Sequence, residues 1–220
     1  MYNIPHLKEA ATDIRHLLNR GYNRKSIIEL VGNRWNLNRD ERHILYRSIF
    51  SYEEIKARKW NEVKIEKIIG KIIAIDTYNV LITIESFLKG LLLIEADDGY
   101  LRDISKVSNK YKQSSYTVKA IQMILKKLKP YQPKRLLFFL DKDISRSGEL
   151  AAFIKKELSK FNVNGESKTV PSPDKSVIKN GEIVISSDRV ILENSMAHIN
   201  LISLLLENFR NYEINLLKLL

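Results

Sequence analysis

The chain has 220 residues, 44% of them hydrophobic and 29% charged, so it can bury a core and carries no compositional mark of disorder. It has no cysteine, which excludes disulfides, thiolate metal sites and cysteine nucleophiles. Its formal net charge of +11, from 37 Lys and Arg against 26 Asp and Glu, favours a polyanionic partner, of which nucleic acid is the commonest.

The N-terminus, MYNIPHLKEAATD, lacks the apolar core of a signal peptide. The apolar runs at 80–96 and 197–206 are interrupted by Glu85, Lys89, Glu95, His198 and Asn200, so no membrane partner and a cytoplasmic location are expected. Residues 5–58 read as helices only. Pro5 opens a stretch with Leu7, Ala11, Ile14 and Leu18 at helical spacing, which Gly21 ends. A second helix runs from about Arg24 to Val31 and is broken by Gly32-Asn33, and Asn38 caps a third with Glu41 at the capping-box position. Three short helices with a tight turn suit a helix-turn-helix, whose basic face would be Arg20, Arg24, Lys25, Arg34, Arg39 and Arg42. The weightier reading is a helical clamp that docks on the rest of the chain. The expected division is therefore a helical N-terminal unit at 1–60 and a larger domain at 66–220, with 51–66 helical.

From Lys71 the period changes. KIIAID is a continuous apolar run, as expected of a strand buried on both faces. Asn79 to Lys89 reads as a helix stopped by Gly90, and LLLIEA as a second strand, giving a β-α-β unit. Ser114-Ser115 precede a helix to Lys129, KRLLFFLD is a strand, and Ser147 caps the helix GELAAFIKKELSKF. Ser172-Pro173 start a short helix, and GEIVISSD is a last strand. The alternation predicts an α/β fold, a mostly parallel sheet with helices on both faces, preceded by a small all-α segment.

Ligands of open parallel sheets bind beyond the carboxyl ends of the strands. Aspartates stand there each time: Asp76, then Asp97 and Asp98, then Asp141 and Asp143, then Asp188. One such aspartate is ordinarily a turn or cap residue. Four strands delivering acids to one edge crowd negative charge, which a cation would relieve. Oxygen ligands favour Mg2+ or Mn2+, and His6, His16, His43 and His198 show no metal-ligand spacing. The chemistry such a cluster serves is hydrolysis of phosphodiesters with a metal-activated water.

Between Asp103 and Asp141 there is no acid, whereas Lys106, Lys110, Lys112, Lys119, Lys126, Lys127, Lys129, Lys134 and Arg135 alternate with Tyr111, Tyr116 and Tyr131. Lysines, Lys126, Lys127 and Lys129 among them, can follow a phosphate backbone, and tyrosines can stack on bases. Arg146-Ser147-Gly148 at a helix start could cradle a phosphate.

The segment AIDTYNVLI resembles the first motif of PIN-like and NYN-type nucleases, and ISSDRVI resembles their later strand-Ser/Thr-x-Asp motif. With ADDGYLRD, FLDKDISRSGELA and the region around ELVGNRWNL, the chain is similar to an archaeal and bacterial family of uncharacterised function that joins a helical N-terminus to a PIN-like domain. The resemblance implies a metal-dependent nuclease. Asp76, Asp141 and Asp188 would hold the metal, with Asp97, Asp98 or Asp103 supplying a further acid and Asp98 counted among the catalytic acids; Asp143 is a further candidate ligand from its strand-end position alone. Asn79 and Ser186 would contact substrate or support the ligands, and Ser147 is a substrate-binding candidate from its place at the helix start alone. Nucleic acid, RNA ahead of DNA, is the implied partner, and a homo-oligomer is compatible with it. The alternative is a catalytically inactive PIN-like module that binds nucleic acid or protein.

Overall fold

Four helices come first, α1 (Ile4–Asn19), α2 (Arg24–Arg34), α3 (Arg39–Ser48) and α4 (Tyr52–Asn61), in a computed structural model that describes residues 2–104, 111–207 and 215–220. Asn3, Asn23, Asn38 and Ser51 each accept a backbone N–H at a helix start, and the last two form capping boxes with Glu41 and Glu54. Each such cap contributes about 1 kcal/mol. Gly32, expected to break the second helix, lies inside α2. A Cβ there would stand 2.3 Å from Arg42 Nη1, because the Arg42 guanidinium crosses Gly32 to donate to Leu37 O (2.8 Å) and Asn33 Oδ1 (2.9 Å). Here glycine serves close approach.

The remaining elements are β1 (Ile72–Asp76), α5 (Thr77–Leu88), β2 (Leu93–Glu95), β3 (Leu101–Asp103), α6 (Ser115–Leu128) and β4 (Arg135–Asp141). They are followed by α7 (Ser147–Lys160), β5 (Gly165–Val170), α8 (Pro173–Asn180), β6 (Ile183–Ile185), α9 (Arg189–Asn194), α10 (Leu201–Leu206) and β7 (Leu216–Lys218). Strands β5-β4-β1-β6, in that order, form a wholly parallel sheet. Successive residues face opposite sides. Ile73, Ile75, Leu136 and Phe138 pack with Leu81, Ile121, Ile154 and Leu205 from α5, α6, α7 and α10, and Ala74, Leu137, Phe139 and Val184 meet Val177 and Ile191 from α8 and α9. The fold is therefore mixed α/β, a four-stranded parallel sheet flanked by helices and preceded by an all-helical part. No helix among the described residues is long and apolar enough to cross a membrane.

Three elements differ from expectation. LLLIEA does not join the parallel sheet: β2 pairs antiparallel with β3 and parallel with β7 in a separate three-stranded sheet. That sheet lies between two cores, with Leu93 and Leu101 in the α/β core and Ile94 and Leu217 in the core of the N-terminal helices. The strand β5, sequence GESKTV, carries no apolar run. It sits at the sheet edge beside β4, where exposed polar side chains cost little. Ser147 is not a cap but the first helical residue of α7, following Arg146 at φ +62°.

A buried ion cluster fastens the helices to the α/β part. Asp98, 3% exposed, accepts both terminal nitrogens of Arg102 (2.7 and 2.6 Å) and also pairs with Arg58 of α4. The Arg58 guanidinium lies 3.8 Å from the Phe50 ring centroid. Burial opposes the Asp98 charge, yet Arg102 and Arg58 hold its carboxyl below the usual range. His198, fully buried, joins Ser195 Oγ (3.1 Å) to Arg58 O (3.0 Å).

Candidate active site

The chain winds outward from β1 through β4 to β5 and then returns across the sheet to β6. Connections on either side of β1 therefore leave in opposite directions, and a crevice opens beyond the carboxyl ends of β1 and β6, where such sheets bind ligands. Asp76 ends β1, and Ser186, Ser187 and Asp188 follow β6. Across the gap Ser186 Oγ donates to Asp76 Oδ2 (2.8 Å). Asn79, in the first turn of α5, accepts at Oδ1 from Ser187 N (2.8 Å) and Ser187 Oγ (2.9 Å). Asp188 N donates to Ser186 Oγ (2.9 Å), while Asp188 Oδ1 caps α9 at Val190 N (2.8 Å). Asp141 ends β4 and accepts from Asp143 N (2.9 Å). Asp174 comes from the first turn of α8.

Asp76, Asp141, Asp174 and Asp188 line one cleft of about 680 Å³. Burial, chiefly, raises the Asp76 pKa to about 7; the Ser186 hydroxyl opposes the shift, and Asp188 and Asp174 add to it. Asp174 is also raised, first by partial burial and then by Asp188 and Asp141. The opposite wall belongs to the N-terminal helices. Arg47 of α3 donates Nη1 to Asp103 O (2.9 Å), with His43 and Tyr46 beside it. Burial and Arg102 pull the Arg47 pKa down, against the pull of Asp103, Asp188 and Asp76.

Other expected residues lie elsewhere or are otherwise engaged. Asp97 accepts from Arg15 and from Phe50 N (3.0 Å), and Asp98 is locked in its arginine cluster, so both serve the junction between the helices and the α/β part. Asp103 borders the cleft, but its Oδ1 accepts from Ser86 Oγ (2.7 Å). Asp143 is exposed outside the cleft lining, and Ser147 is buried under the loop after β4, 3.5 Å from Lys142 O. Lys126 and Lys127 lie in the last turn of α6 and Lys129 directly after it, all ahead of β4, which puts them at the amino edge of the sheet. At roughly 3.3 Å of rise per strand residue, about 20 Å separates that edge from Asp141. Lys129 there borders a separate hollow with Pro133 and Asn164. Lys106 and Lys110 lie outside the described residues.

Sequence reading missed Asp174 and Arg47. Asp174 follows a strand too polar to be recognised, behind Pro171-Ser172-Pro173. Its visible signal was an acid four residues past Val170. Nothing local marks Arg47.

Carboxylate oxygens suit a hard divalent ion, and the raised Asp76 and Asp174 pKa values are those of acids that would exchange a proton for a cation. Among the described residues, however, no three Asp, Glu or His side chains stand ready to hold a metal. The donor chemistry fits an ion; closing around one requires side chains of the cleft to turn.

Residues 65–204 match the family described as Domain of unknown function (DUF5616), and residues 6–60 match Protein of unknown function (DUF434). The chain is 36% identical over 188 residues to the uncharacterized protein MJ0935 of Methanocaldococcus jannaschii, a match covering 86% of this chain and 89% of that one. No solved structure matches. Asp76, Asp103, Asp141, Asp174 and Asp188 of the cleft fall in the first matched span and Arg47 in the second, and the chain belongs to the family described as Domain of unknown function (DUF5616).

Proposed function

We propose that the protein is a cytoplasmic, divalent-metal-dependent nuclease that hydrolyses phosphodiester bonds in nucleic acid, RNA ahead of DNA, on a PIN-like α/β domain. The observation that carries this is the convergence of Asp76, Asp141, Asp174 and Asp188 on one cleft at the switch point of the sheet, with Asp76 pushed up to about 7. The parallel order β5-β4-β1-β6 supports the PIN-like reading. So does the position of its two motifs, AIDTYNVLI at the β1–α5 turn and ISSDRVI at the β6–α9 turn.

When bound, Mg2+ or Mn2+ supplies charge neutralisation and an activated water. The protein's own groups do the rest. Ser186 fixes the Asp76 carboxyl, and Asn79 fixes Ser187, so the loop carrying Asp188 has little freedom. With its pKa near 7, Asp76 carries a proton about half the time at neutral pH, a proton that a cation held by its carboxyl would displace. Asp141, Asp174 and Asp188 provide the remaining negative charge that draws the cation in.

The test is incubation with a panel of single-stranded and structured RNA and DNA, with Mn2+ and with EDTA, beside Asp76→Asn. Cleavage by the wild type in Mn2+ alone, lost in the variant, is expected. Absence of cleavage across the panel, or full activity of Asp76→Asn, refutes the nuclease. A second reading, an inactive PIN-like module that binds nucleic acid or protein, is favoured by the local engagement of Asp141 and Asp188 and by the lack, among the described residues, of a metal-ready trio. Oligonucleotide binding without cleavage would establish it.

A further inference from the structure

A cleft lined by Asp76, Asp141, Asp174 and Asp188, with Asp103 at its border, repels the polyanion it is proposed to cut, so a cation must meet the phosphate from the other side. Among the described residues, three arginines line the cleft: Arg47, Arg102 and Arg189. Two are committed to carboxylates. Arg102 gives both terminal nitrogens to Asp98 and its Nε to Ser187 O (2.9 Å), and Arg189 pairs with Glu193 (3.0 and 3.1 Å). Arg47 instead donates Nη1 to a backbone carbonyl, Asp103 O, at 2.9 Å, and its charge is felt first by the Asp103 carboxylate and then by Asp188 and Asp76 in the cleft.

We infer that the N-terminal helical unit completes the site, with Arg47 as the residue that binds a substrate phosphate opposite the aspartates. A planar guanidinium with an aromatic neighbour, Tyr46, suits a phosphate followed by a base. The placement is rigid. The Arg58–Asp98–Arg102 cluster ties α4 to β3, and Arg102 continues to Ser187 O, next to Asp188. The unit that carries Arg47 is thus held in register with the acids through buried charge-assisted bonds. This makes the helices a wall of the active cleft, in contrast to the separate basic arm that a helix-turn-helix would provide.

The inference rests on the proposed nuclease function, and the test separates the two. Full-length wild type, Arg47→Gln and Arg47→Lys are compared in two assays. The first is Mn2+-dependent cleavage of the best oligonucleotide of the panel, and the second is equilibrium binding of that oligonucleotide over a range of salt. Arg47→Gln should raise KM and Kd about tenfold, the loss of one charge-assisted contact, with kcat changed little. It should also flatten the log-log salt slope by about 0.7 to 0.9. Arg47→Lys should recover the slope and part of the affinity. Unchanged KM, Kd and slope in a folded Arg47→Gln protein overturn the inference while leaving the nuclease standing. Should that variant fail to fold, Arg47→Met, which keeps the aliphatic stem, is measured against the same outcomes. A wild type that binds but does not cleave removes the nuclease, and the binding arm still decides on Arg47. A wild type that neither binds nor cleaves overturns both.

Discussion

Asp76 sits where burial and two neighbouring carboxylates all oppose its charge, and this has a sign in the pH dependence of stability. Its folded pKa of about 7 lies well above the ordinary aspartate value of about 3.9, so the unfolded chain gives up the proton first as pH rises. Stability associated with Asp76 is full below about pH 4, declines through pH 7 and stays reduced above it, by an amount on the order of a few kcal/mol. His198 acts the other way. Its pKa is driven down to about 4 by burial, so it withdraws stability as pH falls from 6.5. Comparison of wild type with Asp76→Asn cancels the histidine: the variant should gain on the wild type progressively from pH 4 to pH 8 in thermal melts, and a constant difference would contradict the buried-acid account. Mn2+ provides a second readout on the same residue. At 100 times its dissociation constant it should stabilise the wild type by about 2.7 kcal/mol and Asp76→Asn by far less. Melting curves indifferent to the ion would remove the metal from the proposal.

Elements bring these residues together, and Gly181 shows how closely. It precedes β6, and a Cβ there would lie 2.7 Å from Ala74 Cβ and 3.0 Å from Ile183 O. Neither atom is the loose end of a flexible side chain, so Gly181→Ala should push β6 off β1 and destabilise by roughly 1 to 3 kcal/mol in urea unfolding. It should also disturb Ser186 and Asp188, and native stability in that variant would show the contact to be compliant. Much of this architecture is legible in the sequence, because β1 and β4 are continuous apolar runs and Asn38 and Ser114 occupy plain capping positions. What escapes is pairing. LLLIEA reads as a strand, but nothing local says which sheet takes three residues, so Asp97 and Asp98 were assigned to an edge they do not reach. Their partners, Arg15, Arg58 and Arg102, are named only by the tertiary structure. The polar edge strand β5 hides for the same reason, and with it Asp174.

At the scale of the whole molecule, Asp98 balances two buried guanidinium groups, one from each part of the chain. Asp98→Ala should leave Arg102 without a carboxylate and Arg58 with Glu193 alone (3.2 Å), and destabilise by about 3 to 5 kcal/mol, the usual effect of breaking a buried ion pair from one side. Limited proteolysis should then sever the chain between α4 and β1 faster than in the wild type. A loss below about 1 kcal/mol in urea would mean that water already reaches the cluster. The N-terminal helices are joined to the rest in a second way, because Leu217 and Leu219 lie in the same apolar cluster as Leu7, Ile14, Ile44 and Leu45. A ribosome adds roughly 5 to 20 residues per second, so Leu219 follows Ile44 out by roughly 9 to 35 s. Throughout that interval the newborn helices lack part of the apolar cover that completes them, and a chain released before Leu217 is made would present that open face to chaperones and proteases.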